Sequence, residues 1–283
     1  MHRIAILGLA VVAVGCRGAE RPPTPITTKI ALRYHPPAGA VYHYVMDQTS
    51  SFGPDSGADT LGVNRLRIGF TQKVATADAD GIPVTVTFDS TKVESPMLNP
   101  AAADQAADRL KDIHLTTVYD DHLRPVHNDV SSLSGLPPLV REQMQVAFRV
   151  AALAALPDQP VGTGDDWTTE TELPVGAIGG PPITVHTKVT VREILVSRGD
   201  TTVRLGVETL LPTEPLHFSF GGQQFTVALQ GAITGEQLLS LTRGAVVSAA
   251  LGGTMHVAVS GGFFGAAGMK ARVQQQGSLR LVS

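Results

Sequence analysis

Nine histidines are the first residues in this chain to suggest chemistry. His114, His122 and His127 fall close to Asp120, Asp121 and Asp129, a mixture of nitrogen and oxygen donors of the kind that holds a divalent metal. The supporting pattern is missing, with no His-Glu-x-x-His pair, no His-x-His and no second cysteine. Polar side chains flanking a hairpin turn account for them, so no metal or other cofactor is expected. Asp78-Ala79-Asp80-Gly81 opens like a calcium loop but lacks the closing glutamate, and reads as a turn. Asp165-Asp166 would be a carboxylate pair, yet neighbours along a strand point to opposite faces and would not share one substrate. No G-x-S-x-G or S-x-x-K signature occurs. The glycine-rich run Gly261–Gly268 lacks the strand-then-helix setting of a phosphate cradle; it reads as a loop whose Phe263 and Phe264 could line a ligand mouth or touch a membrane. An enzyme is therefore not expected, and an envelope hydrolase is kept only as an alternative.

One thiol remains, Cys16, and its setting is specific. Arg3 precedes an unbroken apolar run, Ile4 to Val14, and Gly15-Cys16 follows at once. About 20 apolar residues are needed to span a bilayer, so the run is too short for that and suits the core of a secretion signal. Ala13-Val14-Gly15-Cys16 resembles the lipobox of bacterial lipoproteins, with Ala where Leu is commoner. The resemblance implies cleavage before Cys16, acylation of its sulfur, and anchoring to the membrane. Arg17 stands where an Asp would resemble an inner-membrane retention signal, which points to the outer membrane, facing the periplasm. A lipidated Cys16 leaves no thiol for a disulfide, and the fold must hold by packing.

The elements behind these residues are mostly strands. At 283 residues and 43% hydrophobic, the chain is long enough for a sizeable core. Lys and Arg total 22 against 25 Asp and Glu, scattered without a basic stripe, which argues against nucleic acid. Residues 16–28 read as a proline-rich tether. Strands are expected from about Lys29, interrupted by Pro36–Gly39 and by a turn-forming stretch over residues 50–60. Ile82, Val84, Val86 and Phe88 alternate with polar residues as a half-buried strand does. Asn99-Pro100 opens a short alanine-rich helix. Pro137 to Leu156 has helical periodicity, with Val140, Met144, Ala147, Ala151 and Ala154 on one stripe and Pro157 to stop it. Trp167, the only tryptophan, follows. From there to Leu281 the chain is almost all alternating strand, with turns at Arg198-Gly199, Gly221-Gly222, Arg243-Gly244 and Gly252-Gly253.

Leu32, Tyr34, Gly39, Tyr42 and Tyr44, with the segment Pro157, Pro160, Val161, Gly164, Asp165 and Trp167, resemble a family of bacterial envelope lipoproteins to which no catalytic residues are assigned. At fold level the pattern is similar to LolA-type and LppX-type lipoproteins, which implies a curved sheet holding acyl chains against helices. The reading is thus a signal peptide over 1–15, the tether over 16–28, and one β-rich domain over 29–283. Its architecture is mainly β, a curved antiparallel sheet or half-barrel with one long and one short helix on the concave face. A lipid or other amphiphile would lie in a groove lined by Val86, Phe88, Val140, Met144, Phe148, Ala151 and Trp167. The plainer alternative is a structural envelope lipoprotein with a closed core.

Overall fold

Alternating apolar and polar residues over long runs build one antiparallel sheet. The computed structural model describes residues 24–56, 60–96, 99–135, 155–173, 183–197, 199–212, 214–265 and 267–283. In chain order the elements are β1 (Thr24–Pro25), β2 (Val41–Pro54), β3 (Gly62–Val74), β4 (Ile82–Glu94), α1 (Pro100–Leu110), β5 (His114–Tyr119) and β6 (Pro125–Asp129). There follow β7 (Asp166–Leu173), β8 (Ile183–Ser197), β9 (Asp200–Leu210), β10 (Leu216–Phe220), β11 (Gln223–Ser240), β12 (Ala245–Gly261) and β13 (Met269–Leu281). The sheet runs β1-β8-β9-β11-β12-β13-β2-β3-β4-β5-β6, with β10 added beside β11 and β7 beside β8. It is open, mainly β throughout, and every pairing is antiparallel.

Its curvature follows from chain length. Between β8 and β5 lie eight inter-strand spacings, about 38 Å if the sheet were flat. Ile26 N–H donates to Ile194 O of β8, and Tyr34 N–H donates to Asp121 O beside β5. The steps from Ile26 to Tyr34 reach about 29 Å at full extension, so the sheet must curl to bring its flanks within range. A second segment makes the same crossing in reverse. Leu156 N–H donates to His122 O, and Gly164 N–H donates to Val191 O. Ile30 and Val161 exchange two 2.9 Å hydrogen bonds where these two straps meet.

The main core fills the strapped end. Leu32, Tyr34, Leu156 and Val161 from the straps pack with Tyr42 and Tyr44 of β2, Val84 of β4, Val191 of β8, Leu205 of β9 and Leu239 of β11. Leu32 is fully buried although it lies outside any strand. A smaller core joins Ile68, Phe88, Ile113, Leu115 and Leu133, with Leu110 of α1 packed on it.

Several expectations need correction. Among the described residues α1 is the only α-helix. It starts at Pro100 as read from the Asn99-Pro100 pair, and Ala103 N–H donates to Asn99 O. Most of the long helix expected from Pro137 to Leu156 lies outside the described residues. Where it is described, at Ala155 and Leu156, the chain is not helical, and the Leu156 N–H donates to His122 O instead of to a helix carbonyl. Residues 29–35 form a strap rather than a strand, since their partners are spread over several elements. Ser50 to Pro54 belong to β2, held by β13 from Ala271 to Gln275. Gly252-Gly253 is not a turn but lies within β12, paired on both sides.

Candidate functional site

Residues directly opposite in an antiparallel ladder point to the same side of the sheet, so the register assigns every strand residue to one face. Tyr44, Phe70 and Phe88 occupy one row and sit in or against the core, which marks the concave side. Stepping two residues at a time away from the straps gives the concave rows in order. The first is Leu205, Gln237, Ala249, Leu279, Met46 and Ile68. Further rows hold Ile233 and Asn64, then Met255, Val273 and Phe52, then Leu229 and Val257, then Val227 and Val259. The intervening convex rows hold Glu236, Ser278, Asp47 and Arg67, then Thr234, Gln276 and Arg65, then Gln230, His256 and Arg272.

Burial grades along this face. Val191, Leu205 and Leu239 are almost wholly buried beside the straps, whereas Met255, Val257, Val259, Val273 and Phe52 are half-buried. At the far end the face stops at an aromatic group. Phe218 stacks on Phe225 at 5.4 Å, and Phe225 meets Phe263 and Phe264 edge-on at 5.3 and 6.4 Å. Phe263 is 71% exposed at the tip of the β12–β13 hairpin. The arrangement is a trough, closed by a core at one end and rimmed by phenylalanines at the other.

The sequence-derived groove residues distribute as follows. Val86 and Phe88 face the concave side, Phe88 buried in the smaller core and Val86 packed against it. Trp167, half-buried on β7, packs on the main core, and its Nε1–H donates to Ala155 O at 2.8 Å. Val140, Met144, Phe148 and Ala151, like Cys16, lie outside the described residues.

The polar candidates are engaged structurally. Asp120, Asp121 and His122 come close enough to share an ion. Asp120 Oδ1 accepts from the His122 and Arg124 N–H groups at 2.8 Å each, while His122 Nε2 is buried without a hydrogen-bond partner. His122 lies 2.6 Å from Asp121, which also pairs with Arg33 at 3.3 Å. Arg124 pairs with Asp158 and, through its hydrogen bond, holds that carboxyl below the usual carboxylate range. The cluster clamps the β5–β6 turn to both straps. Asp165 binds Lys29 at 2.8 Å and Asp166 binds Lys188 at 2.8 Å, so the adjacent carboxylates serve different cations. Asp78 Oδ1 accepts from the Asp80 and Gly81 N–H groups, as in a turn. Across β2, β3 and β4, Thr71 Oγ1 donates to Asp89 at 2.7 Å and lies 2.9 Å from His43 Nδ1. A hydroxyl between a carboxylate and an imidazole invites comparison with a nucleophile, but Thr71 follows the inward Phe70 on β3 and so faces the convex side, away from the trough.

Sequence reasoning missed one set of residues. Gln237, Asn64 and Thr91 face the concave side, and each has a buried oxygen (Oε1, Oδ1 and Oγ1) without a hydrogen-bond partner. Gln237 is only 4% exposed. In the sequence it follows Glu236 and reads as surface; the register turns it inward. The signal was there in the period-2 spacing from Ile233 to Leu239, which includes Gln237.

No family model matches the chain, and no curated protein matches it. Among solved structures the chain is similar to one described as "Lipid-protein interactions in lipovitellin", with a TM-score of 0.47 and 13% sequence identity. The alignment covers 88% of this chain and 25% of that one, so the chain spans about a quarter of the length of that neighbour.

Proposed function

We propose that this chain is a non-catalytic lipoprotein of a bacterial cell envelope, carrying an amphiphile along the concave face of its sheet. Acylated Cys16 anchors it, by this reading, in the outer membrane facing the periplasm, and the stretch from Cys16 up to β1 tethers the domain, since Thr24–Pro25 already pair with β8. One observation carries the binding reading: the outer concave rows, from Met255, Val273 and Phe52 to the phenylalanine rim, are apolar and half-buried and the concave rows inside them carry no charge, while the convex rows are charged and polar. Burying half-exposed apolar rows against acyl methylenes is favourable by about 0.8 kcal/mol per methylene.

Two measurements on the full chain test it. Cys16→Ala should move the protein from the membrane fraction to the soluble fraction. Mass spectrometry of the purified wild type should find co-purifying lipid, and Val257→Asp, which sets a charge among the concave rows, should abolish it. Unchanged membrane partition would remove the anchor, and a lipid-free wild type would leave a structural envelope protein with a closed core.

A further inference from the structure

Resting on the binding reading above, we propose that the trough selects an amphiphile with a neutral head rich in hydroxyl or amide N–H groups, held by Gln237, Asn64 and Thr91. A buried oxygen without a partner is costly, and a native structure that retains several calls for a reason. Here three such oxygens, Gln237 Oε1, Asn64 Oδ1 and Thr91 Oγ1, all face the same concavity. Gln237 lies on β11, Asn64 on β3 and Thr91 on β4, so β11 on one side and β3 and β4 on the other are four and five places apart in the curled sheet. Each can accept a hydrogen bond, and two of the three are amide carbonyl oxygens that cannot donate. The complementary ligand must bring donors.

The charge pattern narrows the class. The concave rows of β2, β3, β9, β11, β12 and β13 contain no Asp, Glu, Lys, Arg or His from Gln237 outward to the hairpin ends. A phosphate or carboxylate head brought there would lose water and gain no cation. Further neutral polar groups share these rows: Gln48, Ser50, Gln275 and the Thr187–Thr209 pair, whose hydroxyls lie 2.9 Å apart. Polar residues thus form a belt just beyond the core, and the apolar rows toward the phenylalanine rim lie beyond it. A head seated at the belt would direct its acyl chain along those rows to the rim.

Equilibrium dialysis of the full chain against three probes sharing one oleoyl chain tests this. Monooleoylglycerol offers two hydroxyl donors, methyl oleate offers none, and oleate is anionic. The wild type should bind monooleoylglycerol about tenfold more tightly than methyl oleate, as expected for one or two additional buried hydrogen bonds. Oleate should bind more weakly than monooleoylglycerol. Gln237→Leu should reduce the preference toward unity while leaving methyl oleate binding unchanged, and Asn64→Leu should do the same from β3. Gln237→Leu should also unfold at the same temperature as wild type or higher, because it removes an unpaired buried oxygen. Equal affinity for monooleoylglycerol and methyl oleate in the wild type, or a preference unchanged in both variants, would overturn the headgroup assignment and leave water as the partner of these oxygens. Absence of binding by all three probes would overturn the carrier reading as well.

Discussion

Tyr34, Tyr42, Tyr44 and Tyr119, the four tyrosines of the chain, gather at the strapped end. Tyr34 meets Tyr119 edge-on at 6.0 Å, and Tyr44 stacks on Phe70 at 5.2 Å. Burial, the largest cause in each case, pushes all four hydroxyls above their ordinary value of 10.0, most strongly Tyr34 and Tyr44. In the unfolded chain these groups ionise near pH 10. Below that pH both states hold the protons and the fold keeps its full stability. Above it the unfolded chain releases protons that the folded chain retains, so stability falls as pH rises. Phenolate absorbance followed against pH should rise late and cooperatively, together with loss of the circular dichroism signal. Four independent titrations near pH 10 with the fold intact would contradict the burial described for these rings.

At the scale of elements, what could be read from the sequence was local. Gly221-Gly222 and Arg243-Gly244 sit at hairpin turns as expected, and Ile82 to Phe88 alternates as a strand with Val86 and Phe88 turned inward. Ser50 to Pro54 was misread because small, polar residues signal a turn, whereas here β13 supplies their hydrogen bonds from more than 200 residues away. Gly252-Gly253 misled in the same way. Its glycines serve close approach: a Cβ on Gly253 would lie 2.2 Å from Ala232 O, and one on Gly235 would lie 2.0 Å from Ala250 O. Glycine in a strand interior often marks a bend or close approach of this kind. Gly235→Ala should therefore lower stability by about 1–3 kcal/mol, read from the denaturant midpoint. A neutral result would show that β11 and β12 are farther apart than described. The neutral belt escaped notice because Gln237 beside Glu236 looks solvated until the β11–β12 register is known.

For the molecule as a whole, the two straps decide the shape. They cross between flanks of the sheet that no hairpin connects, and no local pattern in residues 26–34 or 156–164 announces their partners. Leu32 is the strap residue with most to lose, being fully buried where the crossing meets the main core. Leu32→Ala should cost about 2–5 kcal/mol in equilibrium unfolding. A loss below about 1 kcal/mol would mean that the straps lie on the core without closing it. The first strap also has a consequence in time. Its bonds are to Asp121, Val161 and Ile194, each made some 90 to 170 residues later in synthesis. Until those residues emerge, the native surface that Ile26, Ile30 and Leu32 cover is incomplete, and the part of the domain made first is among the last to find its place.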